Sequence, residues 1–232
     1  NPKLPDLSKA KDINLDLSGT QVKLKVPPYS ARVGWQSEQG LKYNIYDDST
    51  YISNKQNVHL NPAISCLSTA WGAYGTPILQ GNIGEIRFNV SVSKYSPKAS
   101  VLNRQKLEEL ELEQLDWLCG PKSKFNQGSV EARIDWSEVT INGLTWVNYS
   151  SNKLETVEGR KEYSNIWLLP LSSSHALMLS FSCAEFLPKA NLHDHYKKFI
   201  YNLLKTVFIE FSSATIEALN ESKILWPNQK YT

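Results

Sequence analysis

Cysteine is scarce in this chain. Cys66, Cys119 and Cys183 are the only three in 232 residues, odd in number and far apart, so neither a zinc-finger spacing nor a disulfide framework is present. One bridge with a thiol left over and three separate buried thiols both fit that spacing. Charge of one sign is lacking too: 25 Lys and Arg stand against 23 Asp and Glu. No run of cations is dense enough to track a phosphate backbone, which sets nucleic acid aside as a partner. Long hydrophobic runs are missing, and none approaches the ~20 apolar residues that span a bilayer. What is present is a hydrophobic fraction of 41% with seven Trp and eleven Tyr, far from the composition of disordered chains. A folded globule with a sizeable core is expected.

Signatures of catalysis are equally thin. Ser172, Ser173 and Ser174 lack the Gly-x-Ser-x-Gly elbow that exposes a nucleophile on a strained turn. Cys119 falls at the C-terminal end of a predicted helix, where the dipole disfavours a thiolate. Gly72, Gly75, Gly81 and Gly84 match no phosphate-cradling pattern. His193-Asp194-His195 is the one short constellation that resembles a metal or acid-base site. Two positions along a helix turn the side chains by ~200°, so the two imidazoles point nearly opposite ways and no third ligand stands at usable spacing. His175 opens a strand beside a turn and reads as structural. No catalytic, cofactor-binding or metal-binding residue is expected, and no cofactor.

Periodicity organises the rest. Ile13, Leu15 and Leu17 are answered by Val22, Leu24 and Val26 across Ser18-Gly19, a β-hairpin stopped by Pro27-Pro28. Leu41 to Tyr46 alternates before Asp47-Asp48-Ser49 breaks it. Between Asn61 and Gly84 the pattern is interrupted by Gly and Pro every few residues and reads as irregular loop. Glu85 to Lys94 is a strand. From Asn103 the period shifts to about 3.6, with Leu107, Leu110, Leu115 and Leu118 on one stripe and Gly120-Pro121 as the stop. Glu108, Glu109, Glu111, Glu113 and Asp116 read as its solvated face.

Val130 to Trp136 alternates, Asn142-Gly143 favours a type I′ turn, and Leu144 to Tyr149 continues as a strand. Two dense apolar strands follow around Ser172-Ser173-Ser174, the second apolar on both faces and therefore central in its sheet. Leu192, Tyr196, Phe199, Ile200, Leu203, Leu204, Val207, Phe208 and Phe211 then form one broad stripe, predicting a helix over 191–211 capped by Asn191. Ser212 or Ser213 caps a short last helix, 214–223. The fold class is α+β: an antiparallel sheet of six or more strands packed by the long C-terminal helix and the mid-chain helix. Residues 1–11, NPKLPDLSKAK, which open without Met, read as a polar tether of the kind that follows a lipidated cysteine. Residues 12–232 read as one domain with an irregular insertion at about 47–84.

The succession VKLKVPPYSARV, a mid-chain helix, VTINGLTWVNYS, NIWLLPLSSSHALMLSFSC and a closing helix resembles the PsbP-like and Mog-like α/β/α group over about residues 12–211. In bacteria that group is similar to small envelope lipoproteins, secretion chaperones and immunity proteins against type VI effectors. The resemblance carries over no functional residue. It implies a non-enzymatic protein of the periplasm or outer membrane that binds another protein, most specifically an immunity or accessory protein capping a toxin or effector. The alternatives are a small-molecule or lipid carrier with a pocket between helix and sheet, and a hydrolase using His175 or His193. Aromatic residues in weakly patterned backbone mark where a partner is expected to dock; the candidates are Tyr46, Tyr51, Trp71 and Tyr74.

Overall fold

The computed structural model describes residues 2–30, 42–51, 61–75, 81–96, 100–123, 130–131, 135–153, 161–187 and 190–221. In chain order the elements are β1 (Lys11–Leu17), β2 (Thr20–Val26), β3 (Lys42–Tyr43), β4 (Ala63–Tyr74), β5 (Asn82–Lys94), α1 (Arg104–Cys119), β6 (Val130–Glu131), β7 (Ser137–Ile141), β8 (Leu144–Lys153), β9 (Lys161–Pro170), β10 (His175–Glu185), α2 (His193–Leu204), β11 (Phe208–Glu210) and α3 (Ser213–Glu221). The large sheet has seven strands in the order β4-β5-β10-β9-β8-β6, with β7 also on β8. All its pairings are antiparallel. A second, four-stranded sheet runs β11-β2-β1-β3, and its β1–β3 pairing is parallel.

Both predicted tight turns form, for a local reason. Ser18 and Gly19 have φ of 53° and 93°, and Asn142 and Gly143 have 51° and 79°. Positive φ at both central residues matches the right-handed twist of the flanking strands. Side-chain alternation then builds three layers. Leu177, Leu179 and Phe181 of β10 face the core shared with α2 and the small sheet, while Ala176 and Met178 face Leu107, Leu110 and Leu115 of α1. Tyr196, Phe199, Ile200, Leu203 and Leu204 bury the predicted stripe of α2, each contributing roughly 1.5–3 kcal/mol.

Several expectations are corrected. Residues 63–74 are a twelve-residue strand, where the glycines suggested loop. In β4 the Tyr74 ring lies on Gly72, so that a Cβ there would sit 2.8 Å from it; in β5, a Cβ on Gly84 would sit 2.7 Å from Leu192 Cδ1 and closer still to the Tyr196 hydroxyl. These glycines admit close neighbours within strands, while Gly75 and Gly81 lie just beyond the strand ends, the Gly75 N–H donating to the Gly81 carbonyl at 2.9 Å. Residues 3–10 do not hang free. Lys3 exchanges backbone bonds with Tyr74 (2.7 and 3.0 Å), and Leu4 and Leu7 pack on the core. With Ser30 N–H on the Ala70 carbonyl and the Tyr43 hydroxyl on that of Cys66, this covers the outer edge of β4, which bare would invite pairing with other chains.

The helix predicted over 191–211 ends at Leu204. Thr206 turns its hydroxyl onto the Leu203 carbonyl (2.7 Å), and the Asn142 side chain donates to the carbonyls of Lys205 (3.0 Å) and Val207 (2.6 Å). Phe208 therefore lies in β11 and is 55% exposed. Asn191 does not cap the helix. It takes φ +48°, and the fully buried Leu192 occupies the cap position with no side-chain cap bond. Asn103 does cap α1, accepting from Lys106 N–H at 3.1 Å. Of the strand expected over 130–136, Val130–Glu131 pairs with β8 and 132–134 lie outside the described residues. Among the described residues no helix is long and apolar enough to cross a membrane.

Candidate functional site

The four aromatic candidates do not form one patch. Trp71 points from β4 into the core, where it meets Phe199 edge-on at 5.4 Å and stacks with Phe88 at 6.0 Å, its indole N–H donating to the Pro27 carbonyl. It is wholly buried and is packing. Tyr51 is buried as well, its hydroxyl donating to the Ile45 carbonyl at 2.7 Å. Tyr74 is half-buried and donates to the Ser30 carbonyl. It lines an open groove of about 530 Å³ with Leu4, Pro5, Pro27 and Pro28. Tyr46 is 47% exposed. Tyr74 pairs with Asn82, the first residue of β5, and the Tyr46 region lies near Lys94, the last. At ~3.3 Å per residue the two ends are roughly 40 Å apart.

At the Lys94 end the structure brings Tyr46 and Tyr51 together with His175, which the sequence leaves unconnected. His175 is the first residue of β10, opposite Lys94, and its turn is pinned by Tyr95 N–H on the Ser174 carbonyl and Val101 N–H on that of Ser173. Only 5% of His175 is exposed. Its Nδ1 lies 2.9 Å from Ser172 Oγ and 3.1 Å from Ser174 Oγ, and its Nε2 is buried with no hydrogen-bond partner among the described residues. The Tyr46 ring stands against it at 5.4 Å and 82°, and Tyr51 lies at 6.0 Å.

The segment carrying these tyrosines is knitted to itself. Asp47 accepts from the Ser49 N–H and hydroxyl (2.9 and 2.8 Å), and the Thr50 hydroxyl bonds to the Asn44 carbonyl. Buried Ile45 holds the segment to the small sheet through Ser18 Oγ at 3.0 Å. Asp48 pairs with Lys94, whose ammonium also lies 5.6 Å over the Tyr51 ring. Burial, then the Lys94 charge, hold the His175 imidazole below its ordinary range, with Asp48 opposing. Burial raises the Tyr51 phenol. Chemically the site offers a hydroxyl–imidazole contact, and no described residue gives the far nitrogen the orienting acceptor of a nucleophile–base relay. What it presents outward is one braced aromatic ring beside an ion pair.

Elsewhere, His193 packs edge-on against Tyr163 at 4.6 Å, and burial and Lys197 lower its pKa. No three His, Cys, Asp or Glu side chains among the described residues converge as a metal site needs. Cys66 and Cys183 are buried free thiols, pushed up to about 12 by burial. Glu111, expected on a solvated face, is 2% exposed. It accepts from the hydroxyls of Tyr95 (2.7 Å) and Tyr149 (2.6 Å). The signal was in the sequence: Leu107, Glu111 and Leu115 step by four along the apolar stripe.

No family model and no curated relative matches the chain. Among solved structures, LpqN, described as involved in cell envelope biogenesis of Mycobacterium tuberculosis, aligns over 62% of this chain and 70% of its own, with 10% identity and a TM-score of 0.38. A Mog1 point mutant aligns over 88% of this chain and 99% of its own, with 10% identity and a TM-score of 0.34. Likeness at this level fixes neither family nor function.

Proposed function

We propose that this chain is a non-catalytic cell-envelope protein that works by binding another protein, with Tyr46 as the anchor of the contact. One observation carries the reading: a ring 47% exposed is held edge-on by a buried histidine at the end of a rigid sheet. Interface hot spots have this character, a preordered aromatic with a polar rim, and the Lys94–Asp48 pair supplies the rim. The envelope location, periplasmic or outer-membrane-anchored, and the finer role of an immunity or accessory protein capping a toxin or effector rest on the resemblance of element order described above. The carrier alternative requires room between α2 and the sheet. That room is filled by Trp71, Phe88, Phe181 and Phe199 in mutual ring contact.

The test is a photocrosslinking amino acid placed at position 46 and, as control, at the exposed Leu112 of α1, with the protein expressed in its source cell. A discrete adduct to one protein species from position 46 and not from 112 is expected. Equal adducts from both positions, adducts to lipid alone, or none would overturn the reading, as would substrate turnover by the purified protein.

A further inference from the structure

We propose that residues 44–51 form an acid-released clamp: a neutral His175 lets the segment close over it, a protonated one drives it open, and a partner held at Tyr46 is let go as the surroundings acidify. The partner half of this rests on the function proposed above; the clamp itself rests on the geometry of His175.

Three observations carry it. The first is the stranded nitrogen. Ser172 and Ser174 hydroxyls serve Nδ1, and both can rotate to donate or accept. Whichever neutral tautomer is present, the imidazolium bears a proton on both nitrogens. The Nδ1–H finds a serine oxygen, while the Nε2–H is buried with no acceptor among the described residues. An unpaired buried charge is among the most costly groups a fold can hold.

The second is the surrounding charge. The groups facing His175 are Ser172 and Ser174 from its own turn, Lys94 from β5, and Tyr46, Asp48 and Tyr51 from the segment above it. One of these is a cation and one an anion, and they are already paired. A proton on His175 makes two cations for one carboxylate.

The third is which part can move. Residues 46–50 are all exposed, and the hydrogen bonds of the segment run largely within it, from Thr50 to the Asn44 carbonyl and from Tyr51 to that of Ile45. It can lift about Ile45, and once it is off the sheet its short turn bonds alone no longer protect its amides. Moving β10 instead would break its ladders to β5 and β9. Lifting admits water to Nε2 and frees Asp48 to turn from Lys94 to the imidazolium.

The direction in pH follows. The closed state prefers the neutral ring, because burial and Lys94 lower its pKa from an ordinary 6.5. Closure is complete above about pH 6.5 and is lost by up to about tenfold per pH unit below it.

Hydrogen exchange of the whole protein at pH 7.5 and 5.0, corrected for intrinsic rates, reads the clamp without any partner. The expected result is about a tenfold or greater loss of protection in 44–51 at the lower pH, with β5 and β10 unchanged, and no such step in His175→Gln. NMR titration of the His175 ring supplies a second reading that does not need that variant to fold. Lys94→Met should raise its midpoint and Asp48→Asn should lower it. Flat protection in the parent, a step that survives His175→Gln, or midpoints unmoved by both neighbours overturns the clamp. Crosslinking from position 46 at the two pH values tests release. A fall in yield together with clamp opening supports the coupling; opening with unchanged yield overturns the coupling and leaves the clamp standing, and absence of any adduct at either pH counts against the partner reading alone.

Discussion

Glu111 gives the sharpest test of how this fold tolerates a buried charge. Its carboxylate sits between the hydroxyls of Tyr95 and Tyr149, under α1 and on the face of the sheet away from α2. Two hydrogen bonds to a charged acceptor are worth roughly 1.5–3 kcal/mol each, but several kcal/mol of desolvation stand against them. The Glu111→Leu variant removes the charge and both acceptors at once. It strands two buried phenol hydroxyls at ~1–3 kcal/mol apiece, so a net loss of about 3 kcal/mol is expected, or about 6–12 °C in Tm for a chain of this size. Adding Tyr95→Phe and Tyr149→Phe to it removes the stranded groups and should restore most of the loss. Glu111→Gln keeps an acceptor and should stay within about 1 kcal/mol of the parent at neutral pH.

The pH dependence separates this account from simple packing. Burial raises the pKa of Glu111 from 4.5, and the two phenol hydrogen bonds only temper the rise. Below 4.5 the carboxyl is protonated in both folded and unfolded chains. As pH climbs from there through the raised folded value, the unfolded chain ionises first, and stability falls. Glu111 therefore favours the folded state at the acid end of this window, opposite to His175, whose contribution is lost as pH falls below about 6.5. In denaturant melts the parent should lose stability relative to Glu111→Gln as pH rises across this range. A Glu111→Leu protein as stable as the parent at pH 7, with the triple variant no different from it, would refute the reasoning.

Trp71→Ala should cost about 3–5 kcal/mol in denaturant melts by opening a cavity among Phe88 and Phe199, and a wild-type midpoint would return Trp71 to the surface. Leu203→Asp should lose several kcal/mol, whereas Phe208→Asp, on an exposed strand position, should stay within ~0.5 kcal/mol; equal losses would restore the longer helix. Gly84→Ala places a Cβ 2.6 Å from the Ala184 carbonyl and should cost ~1–3 kcal/mol while shifting α2, so an unchanged melt would rule out the close approach.

What was legible in the sequence was local. Ser18-Gly19 and Asn142-Gly143 carry their turn geometry in two residues, and the stripe from Tyr196 to Leu204 carries its buried face in its spacing. Asn103 caps where a capping residue before an apolar repeat should. What was illegible depended on distant partners. Gly72 and Gly84 looked like breakers because the ring and helix that press on them come from elsewhere in space. The stripe of α2 continued through Val207, Phe208 and Phe211, and only the Asn142 side chain and Thr206 show why the helix stops sooner. Reading 61–84 as loop also set Trp71 and Tyr74 on a surface; as a strand, the same stretch sends Trp71 inward. Tyr46 and Tyr51 kept company with His175 that no spacing announces.

The layering explains where a site can be. Around Leu168, Leu169, Ala176 and Leu177, strands β9 and β10 are apolar on both faces because α1 covers one and α2 with the small sheet covers the other, whereas β5 is apolar on one face only and carries Arg87 and Asn89 on the other. The side edge of the large sheet at β4 is closed by Lys3, Ser30 and Tyr43. The two ends of the central strands can then be compared as docking faces. At one end His175 opens β10 with a nitrogen that has no partner among the described residues and a half-exposed tyrosine over it; at the other, Tyr74 lines a groove and its own hydrogen bond is already made. Of these two places only the first holds an unmet polar demand under a movable cover. That difference, rather than the number of aromatic rings in either region, is why the binding face is assigned to Tyr46.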